Sequence, residues 1–169
     1  MKFHVSGKVQ VCWKRFEGPD IMNPLNRLLT LDSNVLIAAV SKNERNSEKC
    51  AKILTKIPSL FVLAEPSIVY QEVCGTLARK VGLDKANSAK THLDLMIQPK
   101  MLSICDRDFC TSAFRLCSEY KIYAIDALYL QVALANGSIL VSLDNEDFID
   151  KLKGKDLPIE AYTVSDFPY

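Results

Sequence analysis

In "LTLDSNVLIAAV" (residues 29–40) a carboxylate, Asp32, directly follows a run of apolar residues, at the point where burial should begin. Asp144 repeats the arrangement at the end of "SILVSLD" (residues 138–144). Two further acids fall beside apolar stripes. In "PSIVYQEVCGTLARK" Glu72 lies four residues after Ile68 and three after Val69. In "AIDALYLQVALA" Asp126 has Tyr129, Leu130 and Ala133 at i+3, i+4 and i+7, which puts it on an inward helix face. An ionised carboxylate in such a place is costly unless it is paired or binds a metal. Carboxylates packed together also repel and raise one another's pKa. A hard divalent cation relieves that repulsion, and Mg²⁺ and Mn²⁺ prefer oxygen ligands. The chemistry then open to the cluster is phosphodiester hydrolysis. Plainer explanations stand beside this one. Asp32 and Asp144 are also good helix N-caps, and Glu72 and Asp126 are also candidates for structural ion pairs with Lys or Arg.

These side chains must be positioned by strands and helices in alternation. From Leu28 onward the pattern predicts strand 28–31, helix 33–40, a helix around 47–57, and a short buried strand at 60–64. Pro66 is expected to open a helix running to about residue 81, with Gly75 allowing another element to approach closely. Helix 84–97, strand 101–105, helices 108–119 and 124–135, strand 138–143, a short helix at 145–152 and strand 159–164 complete the prediction. Strands separated by helices argue for a parallel sheet covered on both faces, with ligands gathering at its carboxyl edge. The first stretch stands apart. In "MKFHVSGKVQVCWKRFEGPDIMNP" apolar residues alternate around Ser6-Gly7-Lys8, which predicts a β-hairpin followed by a Pro-containing linker. Residues 1–23 are therefore expected to be an extension, and residues 24–169 the main domain.

Length and composition bound the rest. One domain's worth of chain, 169 residues, carries 21 Lys plus Arg against 20 Asp plus Glu, so no global basic field marks a nucleic-acid binder. Apolar runs fall short of a membrane span, and the first residues lack the apolar core of a signal peptide, which points to a cytoplasmic protein. The six cysteines (Cys12, Cys50, Cys74, Cys105, Cys110 and Cys117) form no C-x-x-C and have only His4 and His92 to join them. That is not zinc-ligand spacing, and they read as reduced core residues of a cytosolic protein.

Taken in order, "LTLDSNVLIAAV", the glutamate of "VYQEVCGTLAR", "YAIDALYLQVALA" and "ILVSLDNEDF" resemble PIN-domain proteins, in particular the VapC-like branch, over roughly residues 28–164. The resemblance implies a three-layer α/β/α domain with a central parallel sheet. It implies that Asp32, Glu72, Asp126 and Asp144 bind Mg²⁺ or Mn²⁺ and hydrolyse single-stranded RNA. Family members differ over which acid of "SLDNEDF" is used, so Asp147 is an alternative to Asp144 or a supporting residue. Ser142 matches a family hydroxyl position, and Asn34 is expected to orient Asp32 or a water. The toxin-like relatives also imply a homodimer and a small antitoxin partner that blocks the pocket. The N-terminal hairpin matches nothing in that family.

Local charge fits an RNA substrate better than net charge does. Residues 41–56 carry Lys42, Arg45, Lys49, Lys52 and Lys56 against Glu44 and Glu48, a local +3. Residues 79–90 carry Arg79, Lys80, Lys85 and Lys90 against Asp84, again +3. Both runs belong to helices expected to rim the acidic pocket, where Lys42, Arg45, Lys49, Arg79 and Lys80 are the candidate backbone contacts. The plain alternative for each run is a solvated helix face. The first reading is a metal-dependent endoribonuclease. Its rival is a catalytically silent PIN-fold interaction module acting through protein or RNA partners. An aspartyl-phosphate phosphatase fits less well, because Asn34 occupies the position two residues after Asp32 where that chemistry needs a second aspartate. Asp106 and Asp108 are expected to cap a helix, and Asp150 and Asp156 to be surface charge.

Overall fold

A computed structural model describes residues 26–41 and 45–169 of the chain. The hairpin expected within residues 1–23 and the lysine at position 42 lie outside the described residues. Strands β1 (Arg27–Leu31), β2 (Phe61–Leu63), β5 (Ile139–Ser142) and β6 (Ala161–Thr163) form one sheet in the order β2-β1-β5-β6, with every pairing parallel. Strands β3 (Glu65–Pro66) and β4 (Leu102–Ser103) make a separate parallel pair. Helices α1 (Ser33–Val40), α2 (Ser47–Leu54), α3 (Val69–Val81), α4 (Leu83–Met96), α5 (Arg107–Tyr120), α6 (Ala124–Asn136) and the short α7 (Asp150–Leu152) cover the strands.

Alternation along each strand assigns the two faces. Leu29, Leu31, Ile139 and Val141 pack with α1 to α4 in one apolar cluster. Leu140 points the other way and packs with Ala113 and Leu116 of α5 and Leu130 and Ala133 of α6. The expected three-layer α/β/α arrangement is therefore present. The chain moves from β1 outward to β2 and later returns to β1's other side as β5, so a topological switch point lies between β1 and β5.

Two expectations fail, both at one place. Pro66 does not open a helix. It is buried and pairs with Ser103, and α3 begins at Val69. The strand expected at 101–105 shrinks to Leu102–Ser103, because a tight helical turn occupies Pro99–Met101. Gly75 serves no close approach of another element, since a Cβ there would meet only the Gln71 side chain of its own helix, at 3.1 Å. Of the five described cysteines, all free, only Cys50 is buried and Cys110 is exposed. Among the described residues no helix is long and apolar enough to cross a membrane.

Strand–helix alternation from Leu28 onward has its own apolar faces, which the described residues pack into two clusters. Deleting residues 1–21 is therefore expected to leave a cooperatively folded domain. Circular dichroism and thermal melting check this, and loss of a cooperative transition would assign that stretch to the core.

Candidate active site

Register brings the first two acids together. Leu31 pairs with Val141, so Asp32 and Ser142 leave their strands side by side at the carboxyl edge. The Asp32 N–H donates to the Val141 carbonyl at 3.0 Å. Its side chain is almost fully buried at 5 % exposure, yet it caps nothing on α1. Asp32 Oδ2 instead accepts from Ser142 Oγ and from Asn34 Nδ2, both at 2.6 Å. Ser142 Oγ also accepts from Asn34 Nδ2 at 3.1 Å and from the Asp144 N–H at 2.9 Å, so the buried hydroxyl is fully used. Asn34 Oδ1 accepts from the Leu143 N–H at 3.1 Å. This network ties the end of β1 to the end of β5. It orients Asp32 through one oxygen and leaves Oδ1 with only a 3.5 Å contact to Ser33 Oγ. Helix capping does not explain Asp32. For Asp144 capping is real, because its side chain accepts from the Asp147 N–H at 3.1 Å.

The other two acids come from the first turns of α3 and α6. Glu72 is half-buried in the first turn of α3, and its Oε2 accepts from Tyr129 Oη at 2.6 Å. Asp126 stands in the first turn of α6, and its buried Oδ2 has no hydrogen-bond partner among the described residues. Among the described residues neither Glu72 nor Asp126 forms an ion pair with Lys or Arg. The structural ion pair that sequence reasoning left open is therefore not what accounts for either residue in the described part of the chain.

The four acids act on one another. Burial pushes the Asp32 carboxyl up to about 6, with the charges of Glu72 and Asp144 adding and the Ser142 and Asn34 hydrogen bonds opposing. Burial likewise pushes Asp126 up to about 7, reinforced by Asp32, then Asp144, and more weakly by Glu72. Asp144 contributes to both shifts, and Asp147 is exposed.

One buried acid escaped sequence reasoning. Glu65 is fully buried where the chain leaves β2 and the sheet divides. Ala64 N still donates to the Leu29 carbonyl at 2.9 Å, but at the next rung the Glu65 Oε1 side-chain oxygen, at 2.9 Å, accepts the N–H of Leu31. A carboxyl thus replaces a backbone carbonyl immediately before Asp32, while Glu65 Oε2 has no partner among the described residues. Burial, and secondarily Asp32, hold this carboxyl well above the usual carboxylate range, with the Leu31 N–H opposing. Its one readable signal was an acid beside the "LFVLA" strand. Glu65→Gln keeps an acceptor for the Leu31 N–H and is expected to change stability by only about 1 kcal/mol. Glu65→Ala strands the Leu31 N–H and leaves a cavity, at about 3–5 kcal/mol. Chemical denaturation at pH 7.5 measures both.

The remaining candidates scatter. Arg45 and Lys80 line a groove of about 950 Å³ between α1, α2, α3 and α4, floored by Leu36, Val73, Leu77 and Leu93 and shared with Lys85. None of the four acids lines this groove, so its size does not locate the chemistry. Lys49 reaches Ser165 Oγ at 3.4 Å, and Arg79 is exposed on α3. Asp106 caps α5 as expected, accepting from the Phe109 N–H at 2.9 Å, whereas Asp108 lies exposed beside Arg107.

Mutually repelling acids at the carboxyl edge of a parallel sheet, held by neutral donors, define a class: an α/β/α domain with an acidic cluster where its strand order switches. The chain belongs to the PIN domain family, whose model matches residues 29–154. Solved structures agree on the fold. VapC20 of Mycobacterium tuberculosis, described as a sarcin-ricin loop cleaving toxin, is 13% identical with a TM-score of 0.59, over 77% of this chain and 98% of its own. VapBC2 of Rickettsia felis, bound to a promoter DNA fragment, gives 16% identity and a TM-score of 0.56 over 80% and 98%. A DNA-bound VapBC from Salmonella typhimurium gives 13% and 0.58 over 82% and 98%. A search of curated protein sequences gives no match.

Proposed function

We propose that the chain is a divalent-metal-dependent endoribonuclease of single-stranded RNA. The observation that carries this reading is the buried, unpartnered Oδ2 of Asp126 facing the charges of Asp32, Asp144 and Glu72, with no Lys or Arg ion pair among the described residues to offset them. Neutral donors from Asn34, Ser142 and Tyr129 orient the acids without cancelling their charge. Such a pocket is unstable alone and suits a cation.

The donor set fits Mg²⁺ or Mn²⁺, being all carboxylate oxygen. Among the described residues no three acids already stand as a closed metal cage. A hard ion that keeps several waters would not require a closed cage of protein ligands. Asp32, Glu72, Asp126 and Asp144 would hold the ion. When bound, it neutralises the charge that builds on a phosphate and makes a water nucleophilic at neutral pH. The chain's own residues do the rest. Asn34 and Ser142 fix the Asp32 carboxylate in one orientation, and Asp144 is fixed through its capping bond to Asp147. Arg45, Lys49, Arg79 and Lys80 supply positive charge for a phosphate backbone.

The toxin and toxin–antitoxin complex among the structural relatives support a toxin role with an antitoxin partner. The absence of a closed cage among the described residues favours a second reading, a catalytically silent interaction module. One assay separates the two. The full-length protein with Mg²⁺ or Mn²⁺ is expected to cleave end-labelled single-stranded RNA and to stop on addition of EDTA. No cleavage with either ion would favour the silent module.

A further inference from the structure

Glu72 is the acid whose surroundings differ most from those of its neighbours. Its one hydrogen bond among the described residues comes from Tyr129 Oη, at 2.6 Å, across 57 positions of sequence. Tyr129 is on α6, three residues after Asp126, and Glu72 is on α3. The helix that delivers one acid therefore grips the acid delivered by another.

The ring itself is fully buried, packed in the apolar cluster that includes Leu130, Ala133 and Leu140. A phenylalanine would satisfy that packing equally well, so the hydroxyl is additional to what the core requires. A buried phenol must find a partner, and this one finds a carboxylate, giving a short charge-assisted hydrogen bond. The usual partner for a part-buried carboxylate is Lys or Arg, which would cancel its charge. A phenol does something different. It fixes the position of one oxygen, because the core fixes the ring, and it leaves the negative charge in place. The other oxygen, Oε1, accepts no hydrogen bond among the described residues. An acid that is oriented, charged and half free is fitted to engage something else.

We infer that Tyr129 is a positioning residue that pins Glu72 Oε2 and presents Oε1 to the acidic pocket. The inference rests on the metal-binding reading of that pocket. A purely structural Tyr129 would tie α3 to α6 and have no effect on a cation, so the two roles separate on metal affinity measured without RNA.

Mn²⁺ binding to the full-length protein is read by electron paramagnetic resonance of the free ion, alongside thermal melting. Tyr129→Phe keeps the ring and is expected to melt within a few degrees of wild type while binding Mn²⁺ about tenfold more weakly. Combining it with Glu72→Gln is expected to weaken binding no further than Glu72→Gln alone, because the hydroxyl acts only through that carboxylate. Wild-type affinity in Tyr129→Phe, or additive losses in the double variant, would overturn the inference and leave the metal-site reading standing. Failure of wild type itself to bind Mn²⁺ would overturn that reading and the inference with it.

Discussion

Asp32→Asn is expected to cut RNA cleavage by roughly 100-fold or more, the loss of about 3 kcal/mol of transition-state stabilisation. The protein should stay folded. An asparagine carbonyl at this position can still accept from Ser142 Oγ and Asn34 Nδ2, so the network joining β1 to β5 survives. What disappears is a charge that burial already disfavours, as its carboxyl at about 6 indicates. Melting at pH 7.5 without metal should therefore be unchanged or higher, which separates lost chemistry from lost structure. Equal cleavage by the variant and wild type, under the same metal and RNA, would sink the nuclease assignment.

The acids at the ends of β1 and β5 were readable because buried parallel strands are continuous apolar runs, and a charge directly after one is conspicuous. Helices α1 and α6 were readable almost to the residue, since polar segments bound their apolar stripes. What sequence could not separate was capping from function. Asp32 and Asp144 present the same pattern, yet Asp144 caps the following turn and Asp32 bonds across the sheet. The difference lies in contacts 108 and 110 residues apart, which no local pattern encodes. The division of the sheet was hidden for a similar reason. A proline suited to a helix's first turn is equally suited to a two-residue bridge, and here the pairing with Ser103 prevails. Glu65 and Tyr129 were missed as site residues because each acts on an element far away in sequence, Leu31 for one and Glu72 for the other.

Asp126→Asn should raise the melting temperature of the metal-free protein at pH 8 and leave it nearly unchanged at pH 5. The sign follows from the protonation of Asp32 and Asp126, with carboxyls at about 6 and about 7. Both are raised above the unfolded value of 3.8, so the folded state holds protons that the unfolded state releases. Their contribution to stability is complete below about pH 4 and is lost as pH climbs through the folded values. For Asp32, nearly fully buried, the loss is on the order of 3 kcal/mol by pH 8, at about 1.4 kcal/mol per tenfold change in proton affinity. Asp126 is less enclosed, and solvent screening reduces its share to about 1–2 kcal/mol. The metal-free wild type should thus melt higher at pH 5 than at pH 8, and the variant should flatten that slope. Mn²⁺ should stabilise wild type strongly at pH 8, where the acids are charged, and stabilise Asp126→Asn less, because one ligand is gone. An Asp126 paired with a Lys or Arg would give the opposite sign. Its replacement would leave a cation unpaired and lower stability by about 3–5 kcal/mol at pH 8. Melting curves of the two proteins at both pH values, with and without Mn²⁺, choose between a repulsive acidic pocket and an ion pair.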